Sequence, residues 1–147
     1  MNQNNMTRTH SFWLKAAIGL QLLTGFFHLL SFLNTREPEN DRERQLFDLM
    51  THYKFNLGAG FYRSMEDLMN TFSIAFSLLL FFSGALNLFL LRSDLPARTM
   101  KGVVLINLVT YLICFISICL LAFLPPIICT GLIVVTLLLA YIKLDMK

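Results

Sequence analysis

Residues 58–92 read GAGFYRSMEDLMNTFSIAFSLLLFFSGALNLFLLR. A compact polar block, Tyr62-Arg63-Ser64 followed by Glu66 and Asp67, runs without a linker into residues 69–91, which are 23 residues with no charge. As a helix rising ~1.5 Å per residue, that run measures ~34 Å, enough to cross a hydrocarbon core of ~30 Å. A helix of a soluble protein sets a charged face opposite its apolar stripe. This run has no charged face, so it predicts a transmembrane helix and decides the fold class.

Three more blocks repeat the pattern on either side. Residues 12–33 carry one charge, Lys15, and residues 102–124 carry none. The last block, residues 127–142, reaches 18 residues only when Pro125 and Pro126 are included, giving a span over 125–142. So short a span is expected to be slightly tilted, locally thinned over, or partly sheltered by its neighbours. The first block is longer than the ~7–15 apolar residues of a signal peptide, so it is read as a retained span whose Lys15 snorkels to the interface. With 147 residues, 56% of them hydrophobic, the expectation is an all-α polytopic membrane protein: one domain over residues 1–147, built as a four-transmembrane-helix bundle.

Lysine and arginine set the orientation. Arg8, Lys15, Arg92, Arg98, Lys101, Lys143 and Lys147 fall on one side, and the five others lie in the loop between the first two spans with seven acids. Both termini are therefore expected in the cytoplasm. The net charge of +3 is accounted for by that inner face and calls for no nucleic acid.

Between the spans, residues 1–9 are polar and Asn-rich and are expected to be disordered. In residues 42–55, Leu46, Phe47, Leu49, Met50 and Tyr53 recur at helical spacing among Arg44, Gln45, Asp48 and Thr51. This predicts an amphipathic helix on the outer membrane surface, broken by Gly58-Ala59-Gly60. Ser64-x-x-Asp67 is a capping-box pattern opening the second span. Thr99 is the expected cap of the third span, and Pro125-Pro126 the expected point of reversal into the fourth.

Polar residues within spans are where function is sought, and they sort into two layers. In the outer layer Gln21, Thr24 and His28 share one helical stripe of the first span, while Glu66, Asn70, Ser73 and Ser77 share one of the second. Antiparallel packing would set His28 at the depth of Asn70 and Ser73, with Glu66 and Asp67 about one turn above and Tyr62 and Arg63 at the rim. In the inner layer Asn87 and Asn107 lie at similar depth in one helical hairpin and predict an interhelical amide pair worth about 0.6–2 kcal/mol, on a face continued by Thr110, Tyr111 and Cys114.

Two readings of the outer layer stand side by side. In one, Glu66 and Asp67 serve the helix start, Gln21, Thr24 and His28 bond between helices, and Arg63 anchors at the interface or pairs with Glu66. In the other, Gln21, Thr24, His28, Tyr62, Arg63, Glu66, Asn70 and Ser73 line a ligand pocket. Within that pocket His28 with Glu66 or Asp67 forms a proton-transfer pair, the candidate catalytic groups. No nucleophile motif, phosphate loop, HExxH or haem-like His pair is present, and Cys114, Cys119 and Cys129 have no metal-ligand spacing. No metal and no cofactor is expected.

The run Met50-Thr51-His52-Tyr53-Lys54-Phe55, then Gly60-Phe61-Tyr62-Arg63-Ser64-Met65-Glu66-Asp67, resembles a segment of a family of small uncharacterised bacterial four-span membrane proteins. Those share a His near the end of the first span, an RSM-x-D step and a Phe/Ser-rich second span. The resemblance covers roughly residues 22–91 and implies four spans in a bacterial inner membrane; it implies no reaction. The chain departs from that pattern in lacking a second His after His28 and in having Asn70 where Gly is common.

Three functions are expected in descending order. The first is a non-enzymatic protein binding a small apolar ligand or membrane-protein partner at the outer pocket, with the lipid bilayer as its constant partner. The second is a membrane enzyme or redox accessory acting on a lipid or quinone, and the third a subunit of a transport complex.

Overall fold

The computed structural model describes residues 3–30, 37–93 and 95–145, with side chains described only within 11–144. The elements are α1 (Gln3–Leu30), α2 (Asp41–His52), β1 (Lys54–Asn56), β2 (Tyr62–Ser64), α3 (Met65–Arg92), α4 (Ala97–Leu121) and α5 (Leu124–Asp145). Four segments are long and apolar enough to cross a membrane: Ser11–Leu30, Met65–Arg92, Ala97–Leu121 and Leu124–Leu144. The fold is all-α with four spans. Their outward faces carry large apolar side chains, among them Phe72, Phe82, Phe89, Ile106, Ile113 and Leu120. Surfaces of that extent have no place in water and mark an integral membrane protein.

Each span turns a narrow row inward. The buried positions include Leu14, Ala17, Ile18, Gln21 and Gly25 in α1; Ser77, Leu80, Gly84 and Asn87 in α3; Met100, Val104 and Tyr111 in α4; and Thr130, Ile133, Thr136, Leu137, Ala140 and Leu144 in α5. Steps of three and four keep each row on one side of its helix. The four rows are too narrow to be amphipathic faces in the soluble sense, because lipid is as apolar as the interior.

Two compact units can be distinguished. The first comprises Met1–Thr24 and Leu80–Lys147. Within it α4 packs on α5, and Gly131 lies so close that an added Cβ would stand 3.1 Å from Phe115 Cε2. Gly84 of α3 is closer still to α1, where a Cβ would fall 2.7 Å from Leu22 Cδ2. The second unit, Gly25–Leu79, holds the end of α1, the outer elements and the first half of α3. Here α2 is capped by Asn40, whose Oδ1 accepts from the Glu43 N–H at 2.9 Å, while Glu43 Oε2 accepts from the Glu39 N–H at 2.8 Å. β1 and β2 pair antiparallel in the register Lys54↔Ser64, Phe55↔Arg63, Asn56↔Tyr62.

Several boundaries differ from the sequence expectation. The expected disordered tail is helical from Gln3, because extending a helix already nucleated by the first span costs little per residue. Of the expected span 12–33, residues 31–33 lie outside the described residues. The amphipathic segment 42–55 ends at His52, and its last residues enter a β-hairpin that was not foreseen. The second span begins at Met65 rather than 69, since the capping box starts the helix ahead of the apolar run. The third and fourth spans, expected over 102–124 and 125–142, are Ala97–Leu121 and Leu124–Asp145. Thr99 lies inside the first turn of α4, whose N-cap is Pro96 with no side-chain cap bond. The reversal falls at Ala122 and Phe123, and Pro125 and Pro126 occupy the first turn of α5, where a missing N–H leaves no bond unmade.

Candidate functional site: the polar groups of the spans

The hydroxyls within the spans are mostly accounted for by their own helices. Ser77, Thr110, Ser117, Thr130 and Thr136 each donate to the carbonyl four residues back, at 2.7–3.0 Å. This back-bonding removes the cost of a hydroxyl in an apolar medium. The remaining polar groups include a set of amides, His28, Tyr111 and the carboxylates at the start of α3.

The expected inner amide pair is present and reciprocal. Asn87 Nδ2 donates to Asn107 Oδ1 at 2.9 Å and Asn107 Nδ2 donates to Asn87 Oδ1 at 3.1 Å. The pair is the centre of a larger cluster. Ser83 Oγ donates to Asn107 Oδ1 at 3.3 Å, Asn107 Nδ2 also donates to the Val103 carbonyl at 2.9 Å, and Asn87 Nδ2 donates to Gln21 Oε1 at 3.2 Å. The Tyr111 hydroxyl lies beside Ser83 and Gln21. Gln21, expected in the outer layer with His28, therefore bonds to the inner one. It is fully buried, and its Nε2 has no hydrogen bond of good geometry among the described residues. Thr24, the last α1 residue within the first unit, is half-buried.

At the start of α3 the capping box is complete. The Asp67 N–H donates to Ser64 Oγ at 3.1 Å and the Ser64 N–H donates to Asp67 Oδ2 at 3.0 Å. Ser64 is buried at 3% exposure, so both of its polar groups depend on this exchange. Arg63 donates through Nη1 to the Tyr62 carbonyl at 2.8 Å, and its guanidinium lies 5.8 Å from the centre of the Phe61 ring. It is thus turned along the hairpin rather than toward Glu66. His52, on α2, meets its own helix through Asp48, with Nδ1 3.0 Å from the carboxylate.

His28 is half-buried, and its ring stands edge-on to Phe76 with centroids 5.2 Å apart. Phe76 lies nine residues beyond Asp67, so ~13 Å of helix rise separates the His28 contact from the capping carboxylate. Direct proton exchange needs heavy atoms ~3 Å apart or one bridging water; this geometry does not supply it for Asp67. Glu66, Asn70 and Ser73 lie on the α3 stripe that runs on to the buried Ser77: Glu66 and Asn70 are exposed, and Ser73 is half-buried. The second unit thus places the His28 imidazole against Phe76 and leaves Tyr62 and Arg63 to the hairpin. Among the described residues no three His, Cys, Asp or Glu side chains gather closely enough to ligate a metal ion.

Compared with known protein families, with curated proteins and with solved structures, the chain matches none. Sequence reasoning missed Ser83 and the partnership of Gln21. Ser83 sits one turn before Asn87, the only signal that pointed to it.

Proposed function

We propose that this integral membrane protein is non-enzymatic. In this reading it binds a small apolar ligand carrying a polar head, or the polar patch of a membrane partner, along the stripe of Asn70 and Ser73 with His28 nearby. The observation that carries this reading is Asn70: a full amide, exposed, within an apolar span. An amide facing hydrocarbon without a partner is costly, whereas Thr71 and Ser77 of the same helix donate to its own carbonyls. The distribution of Lys and Arg supports a cytoplasmic location of both termini, which puts the stripe in the outer leaflet. The resemblance at residues 50–67 favours a bacterial inner membrane.

Native mass spectrometry of the protein released from detergent tests the binding reading. A discrete adduct of constant mass is expected on the native chain. It should be lost from His28→Ala and from Asn70→Leu, with both variants remaining monodisperse. An adduct that survives both substitutions, or a native chain carrying none, would remove the stripe as a binding site.

A further inference from the structure

The hairpin that follows α2 has two unlike faces. In a strand, alternate side chains share a face. The register places Phe55 opposite Arg63, and on the other face Lys54 opposite Ser64 and Asn56 opposite Tyr62. The Leu57 N–H donates to the Phe61 carbonyl at 2.9 Å, so the alternation carries on to put Leu57 and Phe61 with Phe55. Two ring contacts agree with this assignment. Tyr53 meets Phe55 edge-on at 5.1 Å, and the Arg63 guanidinium stacks over Phe61. One face is therefore Tyr53, Phe55, Leu57 and Phe61 with a single cation.

That face is left open. Tyr53 is 58%, Leu57 53% and Phe61 59% exposed, with Phe55 half-buried between them, and a two-stranded hairpin is at best marginal on its own in water. Gly58, Ala59 and Gly60 all have positive φ (87°, 50° and 82°), and they form the sharp turn that holds Leu57 beside Phe61.

We infer that the Tyr53/Phe55/Leu57/Phe61 face is a membrane-interface anchor, seated at the headgroup–acyl boundary of the bilayer that α3 crosses, with Arg63 paired to a lipid phosphate. Covalent continuity identifies the occupant. β2 ends at Ser64 and α3 begins at Met65 with no residue between, so the hairpin stands at the membrane surface. Met65, Met69 and Phe72 in the first two turns of that span are likewise exposed. Aromatic rings with an Arg head are the side chains that favour this depth, the rings in the acyl boundary and the guanidinium at the phosphate. This anchor is independent of the ligand stripe.

Tryptophan placed on each face tests it. The chain has one native tryptophan, so Trp13→Phe supplies a dark background. In that background Phe61→Trp reports the apolar face, Leu57→Trp duplicates it should the first variant misfold, and Lys54→Trp reports the polar face. The variants are reconstituted in phosphatidylcholine vesicles, with or without bromine on the acyl carbons nearest the glycerol. The expected result is blue-shifted emission at position 61 or 57, quenched several-fold more strongly by brominated lipid than at position 54 and shielded from acrylamide. Adding Arg63→Glu should weaken the lipid quenching. Acrylamide quenching at 61 and 57 equal to that at 54 would show a solvent-facing hairpin. Shielding from acrylamide and lipid alike would show a protein partner on the face. Either result overturns the inference.

Discussion

Asn87 joins three helices through one side chain, reaching α1 at Gln21 and α4 at Asn107. Its two amide hydrogens serve Gln21 and Asn107, and its oxygen accepts from Asn107. In hydrocarbon a lost partner is not replaced by water, yet membrane hydrogen bonds are individually modest because the unfolded chain also finds partners. A double-mutant cycle of Asn87→Leu and Asn107→Leu, followed by detergent unfolding, should give a coupling of about 1–1.7 kcal/mol, the upper part of the range for interhelical bonds. A coupling indistinguishable from zero would mean that the reciprocal pair is not formed. This pair was legible in the sequence because both amides lie a few residues from the two ends of one short loop. Gln21 was not, because hydropathy marks which face of α1 turns inward but not how far α1 slides along α3. That offset depends on contacts such as Gly84 against Leu22, which leave no periodic trace.

At the scale of elements, the junction between β2 and α3 separates two carboxylates that the sequence presents as equals. Asp67 closes the capping box with Ser64, and Glu66 points outward. Ser64→Ala should therefore lower unfolding stability by roughly 1 kcal/mol, and Glu66→Gln should change it by less than about 0.5 kcal/mol. Equal losses from the two substitutions would contradict the cap. The box itself could be read from Ser64-x-x-Asp67, since it is a local pattern. The hairpin before it could not. Strands of three residues supply too few alternations to stand out from the helical period of α2, and Tyr53 fits both patterns. The α4–α5 turn was misplaced for a related reason: proline signals a boundary, and here it marks the first turn of a helix rather than the loop.

For the whole molecule, the four spans follow from hydropathy, because runs of about 18 or more apolar residues with almost no charge read as transmembrane helices. Function follows less readily, since the polar groups of a span serve packing and binding with the same chemistry. The structure divides them: the amide cluster around Asn87 is turned inward and bonded, the serines and threonines are mostly bonded to their own helices, and Glu66 and Asn70 are exposed at the end of a stripe that is half-buried at Ser73. If that stripe binds, position 70 must touch something other than lipid. A photoreactive benzoylphenylalanine at position 70 should form a cross-link of one discrete mass, absent when the same residue stands at Val109, an exposed apolar position on α4. Cross-linking to lipid alone at both positions would contradict the account.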